Sequence, residues 1–291
     1  MSFLDRIAEC NQFDAAHFRP FFVAGCQLGW VRPAFMNALA EYSDVFVVKE
    51  DSVTLQPRLD SFEARSAAVA PVMQALAERG VIAGWRNELY PATTSFRAQP
   101  LLQLERAAVA YLGLRTFGVH LNGFVRKHDG IHLWVPRRAR LKPTYPGLLD
   151  NTVAGGQPIG VGLHANVVKE CHEEANIPAE LAQNARAVGV ITYCAEVPEG
   201  LAPDAQFCFD LELPEDFVPS NTDGEVDEFY LWPIERVTEL VRDTREFKPN
   251  CNLVIIQFLM RHGLLPPDHP DYVAIAQGLV APIALPDVSR S

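Results

Sequence analysis

Basic residues are in short supply: 25 Lys and Arg stand against 36 Asp and Glu, a formal net charge of −11 over 291 residues. Non-specific binding to nucleic acid needs a Lys/Arg surface to neutralise phosphates, so that class is excluded. Cysteine pairing is also missing. Cys10, Cys26, Cys171, Cys194, Cys208 and Cys251 are scattered singly with no CxxC pair. Such spacing argues against a zinc ribbon or a disulfide scaffold and for free thiols in or near the core. No apolar run reaches the roughly 18 residues of a membrane span. Asp5 and Glu9 interrupt the opening stretch where a secretion signal needs an unbroken apolar core. The expectation is a cytoplasmic protein with neither a membrane nor a nucleic-acid partner.

What is present is an ordinary globular balance, 48% hydrophobic and 21% charged, with enough length for two modest domains. "RPFFVAG" reads as a buried strand, "PAFMNALAEYSD" as a helix entered through Pro33, and "VFVVKEDSVTLQP" as a hairpin turning at Glu50-Asp51. A helix follows from an Asp60 or Ser61 cap to a stop at Gly80, kinked or divided by Pro71. "VIAGWRNELY" suggests a strand or extended loop, and "LLQLERAAVAYLGL" a second helix.

Beyond a boundary near Gly113 to Phe117 the pattern becomes strand-rich. A hairpin turns at His128-Asp129-Gly130, and a helix spans Leu163 to Ala175. The strands "ARAVGVITYCAEV", "AQFCFDLEL" and "EVDEFYLWP" and the helix "NLVIIQFLMRHG" complete it. The expected division is a small α+β domain over 1–115, an α/β domain over 116–265, and a Pro-rich tail over 266–291 with one short helix near "DYVAIAQGL".

The helix "LHANVVKECHEEA" carries Glu170, Glu173 and Glu174. At about 100° per residue the three fall within about 100° of arc, beside an apolar arc of Val167, Val168, Cys171 and Ala175. Like charges this close repel unless something positive sits among them. A hard cation answers that need, because Mg²⁺ prefers oxygen ligands and commonly bridges protein carboxylates to phosphates. The preceding loop holds Gly155, Gly156, Gly160 and Gly162, which permit tight turns and close backbone approach.

Gly155, Val161, Lys169, Glu170, Glu173, Glu174, Asn176 and Ile177 fall without a gap on the pattern G-x5-E-x7-R-E-U-x-E-E-x-G-U, where U is a bulky aliphatic residue. The stretch resembles the box of the Nudix hydrolases, MutT-like enzymes. That resemblance implies an α/β/α sandwich with a mixed sheet. It also implies a Mg²⁺ or Mn²⁺ held by Glu170, Glu173 and Glu174, and hydrolysis of a small-molecule diphosphate. Val161 stands where the pattern has its first Glu, Lys169 where it has Arg, and Asn176 where it has the second Gly. Asn tolerates the left-handed conformation a Gly would supply, and Lys169 keeps the charge without the two-pronged geometry.

Around the box, Arg137, Arg138, Arg140 and Lys142 form a basic run, and Arg137, Arg138 and Lys142 are candidate phosphate clamps with Gly155, Gly156 and Lys169. Glu225 and Glu228, in "DGEVDEFYLWP", are candidates with Glu173 and Glu174 for the catalytic carboxylates, one acting as general base. Alternation puts Glu225, Asp227 and Phe229 on one strand face and Val226 and Glu228 on the other. Trp30, Trp85, Tyr90, Phe117, Phe124 and Trp134 can stack on a ring, although large apolar residues more often build core. His120, His132 and His164 read as structural or solvent-facing.

Longer strings narrow the resemblance. "KPTYPGLLDNTVAGG", "KECHEEA" and "DGEVDEFYLWP" look like the Nudix domain that fungi fuse to thiamine pyrophosphokinase. "FRPFFVAGCQLGWV", "GWRNELY" and "RTFGVHLNGFV" look like the uncharacterised N-terminal domain of its stand-alone relatives. Spanning about residues 15 to 265, the resemblance implies thiamine diphosphate or its oxidised derivatives as substrate, cleaved to the monophosphate and phosphate. Two alternatives stay open. One is a nucleotide-diphosphate hydrolase acting on ADP-ribose, a dinucleotide or a nucleoside triphosphate. The other is a non-catalytic sensor, which Val161 and Lys169 favour and the intact ExxEE does not. The expected assembly is a monomer or homodimer.

Overall fold

The structure is a computed structural model that describes residues 1–142, 144–222 and 224–281. Ser2 opens the first helix, α1 (Phe3–Glu9), by a reciprocal pair of bonds: its hydroxyl accepts from the Asp5 amide while the Asp5 carboxylate accepts from its own. Strands β1 (Arg19–Val23), β2 (Cys26–Val31), β3 (Phe46–Val48) and β4 (Val53–Leu55) form a sheet in the order β2-β1-β4-β3, with α2 (Pro33–Ala40) between β2 and β3. The β3–β4 hairpin turns where Glu50-Asp51 was expected to turn it.

Helix α3 (Phe62–Glu78) starts at the Ser61 cap and runs unbroken through Pro71. Proline removes a bond to the carbonyl four residues back, which here belongs to Ala67 on the exposed side of the helix.

The segment expected to form a second helix differs. Strands β5 (Leu89–Ala92) and β6 (Leu102–Glu105) pair antiparallel, followed by two 3₁₀ turns at Arg106–Ala108 and Ala110–Leu112. The cause is Glu105. Its buried carboxylate accepts from the amides of Arg86 (2.8 Å), Glu88 (3.1 Å) and Ala107 (3.3 Å), tying two extended-loop donors to the start of the first 3₁₀ turn. Leu102 and Leu104 alternate inward to fill the core. That core, from Phe21 to Leu114, belongs to this part of the chain alone.

The larger sheet is built on β7 (Thr116–Lys127), buried on both faces along most of its length as a central strand must be. β8 (Gly130–Arg138) pairs with its second half and β9 (Val153–Gly156) with its first. After α4 (Leu163–Ala175) and the single turn α5 (Ala179–Ala182) come β10 (Arg186–Val197) and β11 (Gly200–Glu212), the latter parallel to β7. β12 (Val226–Pro233) pairs with β8, giving the order β10-β11-β7-β8-β12 with β9 beside β7.

α4 covers one face, packing Val167, Cys171 and Ala175 on Val119, Leu121 and Phe209. α6 (Ile234–Asp243), α7 (Pro249–Arg261) and α8 (Tyr272–Leu279) cover the other. The result is an α/β/α sandwich on a mixed sheet. Phe3 and Ile7 of α1 and Cys10 at its end join this second core, with Ile7 against Gly278 of α8. Pro282 and Pro286 of the expected tail lie outside the described residues.

Candidate active site

Helix α4 ends at Asn176, whose φ of 51° is left-handed and whose amide donates to the carbonyls of Cys171 and His172. Asn thus takes the place of the usual glycine at this stop. The loop leading into β12 then wraps the same helix end. The Ser220 amide donates to the Ala175 carbonyl (3.1 Å), Asn176 Nδ2 donates to Ser220 Oγ (3.1 Å), and the Thr222 hydroxyl donates to the Glu173 carbonyl. This wrapping carries Glu225 to the glutamate helix.

Each glutamate of α4 has a distinct setting. Glu170 leans against β9, where a Cβ built on Gly155 would stand only 2.6 Å from its Cγ. Burial raises its pKa, and the Lys169 charge opposes that rise. Glu173 is the outermost of the three. Lys169 Nζ lies 2.7 Å from Glu173 Oε2 and 3.2 Å from Glu170 Oε1, so a single cation already sits between those two carboxylates. Glu174 accepts from the Ala154 amide at 2.8 Å. Burial pushes its pKa up to about 8 against that bond, and the charges of Asp150, Glu170 and Glu225 add to the rise.

A small cleft brings Glu174 together with Glu225, Arg138, Lys142, Asp150 and Asn151. Lys142 and Glu225 form an ion pair across it. Arg138, expected as a phosphate clamp, has its donors committed: to Asp150 Oδ2 (2.6 Å) and to the carbonyls of Thr144 (3.0 Å) and Tyr145 (3.2 Å). Arg137 is turned elsewhere, donating to the Gly147 carbonyl (2.8 Å) and lying over the Tyr230 ring. Glu228 is with it, accepting from the Tyr230 hydroxyl at 2.6 Å. A bulge between Val226 and Glu228 breaks the strict alternation expected there. Val161, in the place of the first box glutamate, is partly exposed.

Beneath the cleft lies a polar network that sequence reasoning did not find. His120 Nε2 faces the Asn250 amide at 3.4 Å and its Nδ1 faces Asn151 Oδ1 at 2.8 Å, the pattern of a neutral Nδ1–H imidazole. Burial and the Lys248 charge hold its pKa down at about 4. Asp150 accepts from Arg138 and from Cys251 Sγ (2.7 Å). Burial raises its pKa, but Lys248 and Arg138 outweigh this and set it at about 2. His120, Asp150 and Cys251 offer ligand atoms within 4.8 Å of one another. Arg138 and Lys248 already supply the positive charge there, so the trio reads as a supporting network.

Beside β9 opens a cavity of about 470 Å³. Its floor is the sheet (Gly118, His120, Tyr193, Asp204, Gln206), and Tyr90 and Arg106 form one wall. Tyr90 was among the possible stacking residues; Arg106 and Asp204 were not foreseen. Trp30, Phe124 and Trp134 are buried, and Phe117 lines the cavity.

Residues 2–116 match a family described as "Domain of unknown function (DUF4743)". Over 281 residues the chain is 43% identical to Nudix hydrolase 24, chloroplastic, of Arabidopsis thaliana, covering 95% of this chain and 77% of that protein. The chain belongs to the Nudix hydrolase family. Nudix hydrolase 20, chloroplastic, of the same plant is 42% identical over 288 residues, with 95% and 77% covered. Among solved structures, DR0079 from Deinococcus radiodurans aligns with a TM-score of 0.44 and 20% identity, over 59% of this chain and 99% of that one.

This Nudix hydrolase is therefore an enzyme that cleaves a diphosphate linkage in a small molecule, with a divalent metal ion as cofactor. The α4 carboxylates fit such an ion: their donors are hard oxygens, and the Lys169 ammonium marks a cation position between Glu170 and Glu173. Among the described residues no helix is long and apolar enough to cross a membrane.

Proposed function

We propose that this chain hydrolyses thiamine diphosphate or an oxidised derivative to the monophosphate and phosphate, with Mg²⁺ or Mn²⁺ held by Glu170, Glu173 and Glu174. The observation that carries the site is the meeting of Glu174 with Glu225 and Lys142 in one cleft, beside the glutamate that packs on Gly155. The thiamine assignment draws its support from the strings quoted above. A bound metal ion supplies charge neutralisation at the diphosphate and a more acidic water.

The chain's own groups divide the remaining work. Glu225, across the cleft from Glu174, takes the proton of the attacking water as a new P–O bond forms and the bridging P–O bond breaks. Lys142 contacts the phosphates as Glu225 releases it. Lys169 neutralises Glu170 and Glu173, and Gly155 gives Glu170 its place. Gly156 makes room for the Tyr90 ring, which closes over the strand beside the substrate. Glu228 and Arg137 pair around Tyr230 and stay outside the chemistry, and Arg138 shapes the Thr144–Tyr145 loop instead of binding phosphate. We also propose the division at 115/116, supported by the extent of the DUF4743 match and by a separate core ending at Leu114. We further propose a cytoplasmic location and a monomeric or homodimeric state.

The test is product analysis with Mg²⁺ on thiamine diphosphate, its oxidised forms, ADP-ribose, a dinucleotide and a nucleoside triphosphate, with Glu174→Gln alongside. Monophosphate released from a thiamine compound, and lost by at least about 100-fold in Glu174→Gln, is the expected result. Turnover confined to nucleotides sinks the thiamine assignment and keeps the residue roles.

A further inference from the structure

The cavity beside β9 stands at the junction of the two parts of the chain. Its volume, about 470 Å³, is ample for an organic molecule of one or two rings. Tyr90, Phe117 and Tyr193 bring aromatic rings to its lining. Gln206 Nε2 (3.2 Å) and Asn250 Nδ2 (2.9 Å) both donate to the Tyr193 hydroxyl, so these donors are occupied within the floor.

Asp204 differs from its neighbours. Half-buried on the same floor, it accepts from the Thr116 hydroxyl and the Tyr193 phenol, both neutral groups. An ionised carboxylate accepts about four hydrogen bonds, so Asp204 retains acceptor capacity toward the cavity. A carboxylate among aromatic faces selects a flat ligand that carries donors or positive charge.

The cavity also has a direction. Ala154, Gly155 and Gly156 line it on one side of β9. On the other side the Ala154 amide holds Glu174, and Gly155 accommodates Glu170. A Cβ on Gly156 would come within 2.8 Å of Tyr90 Cζ, so the N-terminal part is seated directly on the glycine strand. Arg106 lies over the Tyr90 ring, 5.5 Å from its centroid, and pairs with Glu88 at 2.9 Å. The cavity and the glutamates thus share the strand Ala154–Gly156, which stands between them.

We propose that this cavity binds the non-phosphate half of the substrate, an amino-substituted or cationic nitrogen heterocycle, with Asp204 accepting from its amine and the DUF4743 part supplying Tyr90 and Arg106 as the opposite wall. Asp204 and Arg106 are then specificity-determining residues, and the N-terminal part completes the substrate site. The inference rests on the diphosphate-hydrolase reading and names the class of group attached to the diphosphate.

Binding to the full chain is measured by calorimetry in EDTA with three monophosphates: thiamine monophosphate, AMP and ribose 5-phosphate. The expected result is that one of the two amino-heterocycle probes binds at least about tenfold tighter than ribose 5-phosphate. Asp204→Asn removes that margin, as loss of a charge-assisted bond predicts. Arg106→Ala, on the more exposed wall, weakens the preferred probe about fivefold and serves if Asp204→Asn does not fold. Preference for thiamine monophosphate identifies a pyrimidine–thiazole ligand, and preference for AMP a purine.

Equal binding of all three probes, or a margin untouched by both substitutions, overturns the proposal. Because no bond is cleaved in EDTA, the outcome is separate from turnover. Selective binding with no hydrolysis of the matching diphosphates sinks the hydrolysis reading alone. Hydrolysis without selectivity dependent on Asp204 or Arg106 sinks the cavity assignment alone.

Discussion

Glu170 occupies the space that a side chain on Gly155 would need: a Cβ there would stand 2.6 Å from both Glu170 Cγ and Oε1. Two residues fifteen apart in sequence are thereby locked into one choice, glycine for the strand and a carboxylate for the helix. Gly155→Ala should displace Glu170 and lower kcat/KM about 10- to 100-fold, at a stability cost of roughly 1–3 kcal/mol from overpacking. Steady-state kinetics with a metal titration checks it. Unchanged kinetics would mean that Glu170 does not need its present position.

The two carboxylates near β12 should separate cleanly. Glu225 faces Glu174 across the cleft, while Glu228 is engaged by the Tyr230 hydroxyl away from it. Glu225→Gln is expected to lower kcat by about 10²- to 10⁴-fold, the range for loss of a general base. Glu228→Gln should stay within about twofold. The reverse order in kcat would transfer the base to Glu228.

Buried His120 makes a pH prediction. Its pKa is held down at about 4 in the folded chain, against an ordinary 6.5 once unfolded. The unfolded state therefore binds the extra proton between those values, and the native state loses stability as pH falls through that window. The contribution is fully present above pH 6.5, and about 3 kcal/mol of it has been lost by pH 4. Urea unfolding of the wild type and His120→Gln at pH 7.5, 5.5 and 4.5 isolates it. The stability gap between the two proteins should narrow with acidification; a constant gap counts against a neutral buried His120.

Glu105 stabilises through three backbone donors at once. Glu105→Ala should cost about 2–4 kcal/mol, since buried N–H groups left without partners are expensive. Differential scanning calorimetry reads this directly, and a change below about 1 kcal/mol would show that water replaces the carboxylate.

Where local rules governed, the sequence was readable. α4 spans Leu163–Ala175 as its periodicity indicates, Asn176 adopts the left-handed turn, and the β7–β8 hairpin closes at His128-Asp129. The segment around Leu102 to Leu112 departs from expectation because its leucines and alanines favour a helix, whereas the Glu105 carboxylate draws amides from seventeen and nineteen residues upstream into a different arrangement. Asp204, Arg106 and the His120–Asn250 contact were illegible for a related reason. Each acquires its meaning from a partner far along the chain, and pairing at such separations leaves no periodic trace. The Glu225 and Glu228 alternatives could not be ranked either, because a bulge re-aims the strand between them.

Helix α1 and its cap bury Phe3, Ile7 and Cys10 among residues of α7 and α8 rather than in the neighbouring core. During synthesis this matters. Ile7 meets its partners Ile275 and Leu279 only after about 270 further residues have been added, roughly 15 to 50 seconds at 5–20 residues per second. Until then the first helix is an amphipathic segment with nowhere to dock, while the DUF4743 core, complete at Leu114, can already form. Sandwich closure is thus a late event that recruits a piece of the chain made long before, and the ribosome-bound intermediate keeps an apolar helix face exposed until then.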